Sequence, residues 1–250
     1  MAQPKALVLR AAGVNCDKES QYALEQAGFA AERVHVFRVM EDPRLLDEVQ
    51  LLMLPGGFSY GDDVAAGKIL ANQMIHRLAE PLNKFVADGK LVLGVCNGFQ
   101  VLIKSGLLPW GQADAASANA DATLTWNDSG RFVDRWIRLR ADSDTCVFLP
   151  KGEEIDLPIA HGEGKFVARD QRTLSRFRKQ DQIAVRYVGD NPNGSQDDIA
   201  GICDPTGRVF GLMPHPERFV EIQQHPQWTR GQVRRADGAI VFQRAAKYLK

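Results

Sequence analysis

The chain has 250 residues, and its 31 Lys and Arg balance 31 Asp and Glu, so the formal net charge at neutral pH is zero. That length carries one sizeable α/β core, and the neutral balance offers no electrostatic basis for binding nucleic acid or an anionic membrane. Four cysteines, Cys16, Cys96, Cys146 and Cys203, are dispersed without a Cys-x-x-Cys pair, which speaks for reduced thiols and against a zinc knuckle or disulfide scaffold.

Met1 to Lys5 lead straight into a strand-like run rather than an apolar signal segment, and no apolar run is long enough to span a bilayer. A cytoplasmic protein is therefore expected. Residues 6–9 predict a first buried strand. A turn over 11–17 follows, with Asn15 or Asp17 capping a helix through Tyr22, Leu24 and Ala27 that Gly28 stops. Residues 34–39 predict a second strand, Asp42-Pro43 the start of a short helix, and residues 51–54 a third strand apolar enough to be covered on both faces. Strands alternating with helices in this way predict a doubly wound, mostly parallel sheet with flanking helices.

The third strand ends in Pro55-Gly56-Gly57-Phe58-Ser59-Tyr60-Gly61-Asp62-Asp63. This glycine-rich loop lies at the carboxyl end of a strand, the edge where open α/β sheets bind ligands. It is no P-loop: five residues separate Gly61 from Gly67-Lys68, and Ile69 stands where Ser or Thr is required. Asp62 and Asp63 have no further ligand clustered with them and are read as caps of a long helical segment over 64–84, which Pro81 kinks or splits. After Gly106 the character changes. Residues 113–122 read as a small-residue loop, and 124–126 and 131–139 as strands with one wet face. Residues 155–160 run into a second glycine-rich loop, His161-Gly162-Glu163-Gly164, and Asp204-Pro205-Thr206-Gly207 joins two strands as a hairpin. With no repeat or linker, 1–250 reads as a single domain with an antiparallel extension.

The organising stretch is Leu91-Val92-Leu93-Gly94-Val95-Cys96-Asn97-Gly98-Phe99-Gln100. A β-rich apolar run ends on a cysteine with glycines at minus two and plus two, and a helical run follows at once. This is the spacing of a nucleophile elbow, where the chain turns so sharply that flanking side chains would collide. A thiol at a helix N-terminus also faces unpaired N–H groups that favour its thiolate. A buried structural thiol is the alternative reading, and glycine on both sides favours the nucleophile.

Met213-Pro214-His215-Pro216-Glu217 forms the third constellation. Each proline biases its predecessor toward extended backbone, in which residues two apart face one side. His215 and Glu217 then project together, the carboxylate accepting an imidazole N–H while the other nitrogen faces the thiol. Alone, the same residues also read as the cap and first turn of a helix.

The elbow and the His-x-Glu pair together resemble the triad of class I glutamine amidotransferases. The fuller strings Gly13-Val14-Asn15, Gly56-Gly57-Phe58-Ser59-Tyr60-Gly61-Asp62, Gly94-Val95-Cys96-Asn97-Gly98-Phe99-Gln100, Ala160-His161-Gly162-Glu163-Gly164 and Pro214-His215-Pro216-Glu217-Arg218 resemble one branch. That branch is the glutaminase subunits of phosphoribosylformylglycinamidine synthases, of purine biosynthesis. The resemblance implies a flavodoxin-like fold, attack of Cys96 on the glutamine side-chain amide, acid–base work by His215, orientation of His215 by Glu217, and hydrolysis of a thioester to glutamate. It implies Gly57, beside the Asn97 N–H, as an oxyanion donor, and Gln100 as a glutamine ligand. His161, Gly162 and Glu163 are placed near the glutamine pocket or a partner interface. No metal and no ATP motif belong to this chain. ATP and Mg are expected on a separate synthetase subunit, with a small third subunit, receiving ammonia through a protected channel. Arg218 and residues 225–230 are candidates for docking it or for packing the C-terminal helix; His35, His76 and His225 receive no role. Two other readings compete: a stand-alone cysteine hydrolase, which would need neither Gln100 nor Glu217, and a catalytically silent subunit, against which the intact triad speaks.

Overall fold

The computed structural model describes residues 3–116 and 120–250. The small-residue loop expected over 113–122 therefore falls partly, at 117–119, outside the described residues. Strand and helix alternate first: β1 (Lys5–Arg10), α1 (Asp17–Gln26), β2 (Ala30–His35), α2 (Val36–Glu41), β3 (Leu51–Leu54), α3 (Lys68–Ala87), β4 (Leu91–Val95), α4 (Asn97–Lys104) and the short α5 (Leu107–Trp110). Then come β5 (Ala122–Thr125), β6 (Val133–Ala141), β7 (Glu154–His161), β8 (Lys165–Ala168), α6 (Gln171–Lys179), β9 (Ile183–Tyr187), β10 (Ile199–Cys203), β11 (Val209–Leu212) and α7 (Ala239–Tyr248).

Nine strands form one sheet in the order β2-β1-β3-β4-β11-β10-β9-β6-β7, and β5 pairs with β8 separately. The first five strands of that order run parallel; the remaining four pair antiparallel. Every residue of β3, β4 and β11 is buried, as parallel strands covered on both faces require. Helix α4 packs on both α3 and α5, while α1 packs on β1, β2 and α7. No helix among the described residues is long and apolar enough to cross a membrane.

Several local expectations are corrected. The second strand ends where residues 34–39 predicted it to begin: at His35 the chain turns, and the His35 Nδ1 accepts the Phe37 N–H at 3.3 Å to cap α2. Val36 and Val39, read as strand residues, are both buried from one helical face three residues apart. The cap position of α1 is Cys16, not Asn15 or Asp17; Asp17 instead pairs with Arg10 at 2.8 Å and Arg33 at 3.2 Å. Helix α3 begins at Lys68, after a left-handed Gly67, and runs unbroken through Pro81. Leu70, Met74, Leu78, Leu82 and Phe85, all buried at helical spacing, outweigh the one hydrogen bond a proline removes.

Candidate active site

Because β1, β3, β4 and β11 are neighbours and parallel, the four segments leaving their carboxyl ends must meet at one edge. They are the turn through Cys16, the loop from Pro55 to Asp63, the elbow at Cys96, and Met213 to Arg218. Strand β7 sits at the far end of the sheet order, yet it curls back onto this edge. The His215 N–H donates to the Pro158 carbonyl at 2.9 Å, and the Cys96 thiol lies 3.7 Å from the Ala160 carbonyl oxygen.

Cys96 has φ +51° and ψ −106° and directly precedes α4. That conformation is strained for any residue with a side chain, and it aims the thiol off the strand end. The glycines fit the elbow for the expected steric reason. A Cβ on Gly98 would stand 1.9 Å from the Leu54 carbonyl oxygen, and one on Gly94 would stand 2.5 Å from Leu102. The Asn97 N–H, at the first helical position, has no intrahelical acceptor. In the cavity lining that includes Cys96, Gly57 adopts φ +139°, and a Cβ there would meet the Asn15 nitrogen and the Gly13 oxygen at 2.7 Å. The Gly56-Gly57 loop is thus pressed against the Gly13 turn.

Behind the thiol, His215 and Glu217 are both buried and joined by a 2.6 Å hydrogen bond from Nδ1 to Oε1. The pair meets through a 3-10 turn, Pro216–Arg218, rather than the extended segment expected. Both readings of His-Pro-Glu are therefore realised at once. Burial alone would push the His215 pKa down, but the Glu217 carboxylate and then the neighbouring Cys96 and Cys16 thiols hold it well above the ordinary range. His215 Nε2 is buried and makes no hydrogen bond.

Cys16, which sequence reasoning treated only as one of four scattered thiols, lies at this centre. Its sulfur, a His215 nitrogen and a Glu217 oxygen all fall within 4.8 Å of one another. The donor set is one that a small cation can use, but His215 and Glu217 are already bonded to each other and the Arg218 Nη2 donates to the Cys16 sulfur at 3.1 Å. A guanidinium in that position repels a cation brought onto the same sulfur. Arg218, a candidate for partner docking, thus turns inward. His225 likewise stacks on Trp136 at 4.3 Å between ring centroids.

A cavity of about 310 Å³ opens over Cys96, lined by Gly57, Asp62, Gln100, His161, Gly162 and Glu163 among others. Its mouth carries the exposed aromatic rings of Phe58, Trp126 and Phe132. The Asn97 side chain, which no sequence motif singled out, clamps the wall. It accepts the Ser59 N–H at 3.2 Å and donates to Asp62 at 3.2 Å and to the Gln100 Oε1 at 2.9 Å. Gln100 in turn donates to the Glu163 carbonyl at 2.7 Å. Asp62 is therefore a tie between loop and elbow rather than a helix cap, although it also accepts the Gly67 N–H at 3.3 Å.

The protonation of His161 follows from Asn127, another residue the sequence did not single out. Asn127 Nδ2 donates to the carbonyls of Arg131 and His161, each at 2.9 Å, which fixes the amide. Its Oδ1 must then accept, from the Gly164 N–H at 3.0 Å and from His161 Nδ1 at 3.1 Å. So Nδ1 carries the proton, and the buried, unpaired Nε2 is an acceptor. Burial first, and the charge of His215 second, push the His161 pKa down to about 4. Since the folded value lies below the unfolded one, the unfolded chain binds the extra proton between pH 6.5 and 4, and stability falls as pH drops through that window. The expected loss is about 3 kcal/mol. Urea unfolding of wild type and His161→Gln should show the difference between them narrowing by about that amount from pH 7 to 4; a difference independent of pH would refute the assignment.

A mostly parallel flavodoxin-like sheet, with a thiol at a strand–helix elbow and a His–Glu pair behind it, defines an enzyme of the cysteine-dependent amidotransferase class. The chain belongs to the CobB/CobQ-like glutamine amidotransferase domain family, which it matches over residues 3–249. It is 42% identical, over 100% of its length and 99% of the relative's, to phosphoribosylformylglycinamidine synthase subunit PurQ of Dehalococcoides mccartyi. It is 38% identical to PurQ of Thermotoga maritima, covering 99% of each. Among solved structures it resembles a chain of PurLQS from Thermotoga maritima with a TM-score of 0.77 and 36% identity over the full length of both.

Proposed function

We propose that the chain is the glutaminase subunit of a phosphoribosylformylglycinamidine synthase, hydrolysing glutamine and delivering ammonia to a separate ATP-dependent synthetase subunit. The observation that carries this reading is the strained Cys96 at the N-terminus of α4, sharing one cavity with His161 and Gln100 and backed by the 2.6 Å His215–Glu217 hydrogen bond. The PurQ relatives and the PurLQS likeness supply its substrate and partner. In the proposed cycle His215 Nε2 takes the Cys96 proton as sulfur attacks the glutamine carboxamide carbon. The N–H groups of Gly57 and Asn97 hold the oxyanion, each worth a few kcal/mol in such sites. His215 returns the proton to the departing nitrogen, releasing ammonia and leaving a thioester. Water then gives a proton to His215 and adds to the thioester, and glutamate leaves as the Cys96 thiol is restored. Glu217 holds the Nδ1 proton throughout.

Gln100, His161, Gly162 and Glu163 form the glutamine-binding wall in this proposal. The His161 Nε2 is its most specific element, because a buried lone pair without a partner demands a donor. The synthetase subunit, with ATP and Mg, would convert formylglycinamide ribonucleotide to formylglycinamidine ribonucleotide, and a small third subunit completes the assembly. Residues 1–250 act as one domain, in the cytoplasm, as the unpaired thiols favour. Ammonia release from glutamine is the test, with and without the synthetase subunit, its nucleotide and its acceptor. Release that rises with the partner is expected; no turnover under either condition, with Cys96 still readily alkylated, would leave a hydrolase of another substrate or a silent subunit.

A further inference from the structure

We propose that Cys16 is a positioning residue, interposed between the Arg218 guanidinium and the Glu217 carboxylate so that Glu217 serves His215 alone. The proposal rests on reading His215 and Glu217 as the acid–base pair of the site. Glu217 is buried, with Oε1 bonded to His215 and Oε2 without a hydrogen-bond partner. Its chain neighbour Arg218 carries the fork-shaped cation that pairs most strongly with a carboxylate. Yet Arg218 does not turn to Glu217. Its Nη2 donates to the Cys16 sulfur at 3.1 Å, and its Nε lies 3.5 Å from Glu19.

The geometry fixes the sulfur in that place. The Cys16 N–H donates to the Gly56 carbonyl at 3.3 Å, and the Cys16 S–H donates to Asn15 Oδ1 at 3.3 Å, leaving its lone pairs for Arg218. A Cβ on Gly56 would touch both the His215 ring, at 2.8 Å, and the Cys16 sulfur, at 3.3 Å. Thiol and imidazole edge thus share one side of the oxyanion loop. Burial keeps the Cys16 thiol protonated and above its ordinary value, so it separates the charges without adding one. A bidentate Arg218–Glu217 pair would draw the carboxylate's charge away from the imidazolium. The groups facing His215 are Glu217 and Arg218 from its own turn, Cys16 from the cap of α1 with Glu19 behind Arg218, Cys96 from the elbow before α4 and His161 from β7. Arg218 is the permanent cation among them.

The test is the rate at which iodoacetamide alkylates Cys96 in the full chain, mapped by mass spectrometry across pH, beside glutaminase kcat/KM of the chain assembled with the synthetase. Cys16→Ala is expected to slow Cys96 alkylation at neutral pH about tenfold and to move the imidazole limb of the kcat/KM profile about one unit lower. Adding Arg218→Gln should return both to within about twofold of wild type, a rescue that lost packing would not show. Wild-type alkylation in Cys16→Ala, or no recovery in the double variant, overturns the proposal. Should Cys16→Ala not fold, Arg218→Gln alone, with the sulfur in place to separate that cation from Glu217, is expected to leave alkylation within about twofold of wild type, and a larger change overturns the proposal. A chain whose Cys96 responds as expected but never releases ammonia keeps this role for Cys16 and loses the glutamine assignment.

Discussion

Cys96→Ala is expected to lower ammonia release from glutamine by at least about a thousandfold, about 4 kcal/mol of transition-state stabilisation. Among the described residues no second nucleophile is placed to take over. Cys16 is the other thiol beside His215, but it is buried, its proton is held by Asn15 and its lone pairs face Arg218. A diazoketone analogue of glutamine should therefore label Cys96 and leave Cys16 untouched in a peptide map. Labelling at Cys16, or turnover retained in Cys96→Ala, would mean that the nucleophile has been misassigned between two thiols that share one imidazole. The same position carries a stability test. Alanine keeps the φ of +51° that strains Cys96, whereas glycine relieves it, so Cys96→Gly should be the more stable of the two inactive variants by about 1 kcal/mol.

Gly98→Ala is expected to destabilise the fold by about 3 kcal/mol or more and to abolish activity with it. Alanine ordinarily stabilises a helix interior relative to glycine by up to about 1 kcal/mol, so the sign itself is informative. Here the added methyl would lie 1.9 Å from the Leu54 carbonyl oxygen and 2.7 Å from its carbon, so α4 must lift off β3. The lift carries away the Asn97 clamp on Ser59 and Asp62 as well as the first helical N–H. Urea denaturation reads the stability loss directly. A Gly98→Ala variant as stable as wild type would show that the helix does not rest on the strand as described.

What the sequence disclosed was the part of the molecule governed by local sterics. Glycines two residues either side of Cys96 announce a chain reversal, and Leu51–Leu54 announces burial on both faces. The Asp204 to Gly207 turn announces the β10–β11 hairpin, because such signals depend on a few adjacent residues. Residues 34–39 misled because Val34, Val36 and Val39 fit a strand about as well as a helix turn over so short a run. Asn97 and Asn127 passed unnoticed since an amide's value lies in which distant groups reach it: the Asn127 side chain ties residues 131, 161 and 164 together. Cys16 stayed hidden for the same reason, its partner Arg218 standing 202 positions away. Only the parallel order of β1, β3, β4 and β11 brings these segments to one edge.

That order also sets a sequence of events for synthesis. Strand β11 lies between β4 and β10 in the sheet although it follows both in the chain, so until residue 212 leaves the ribosome the buried strand β4 has an open edge. Such an edge, apolar from Leu91 to Val95, is a ready template for pairing with another nascent chain. The closing strand is followed at once by His215 and Glu217. The step that seals the sheet is thus also the step that brings His215 and Glu217 up to Cys96, and a chain interrupted before it exposes a sticky edge with those three residues still apart.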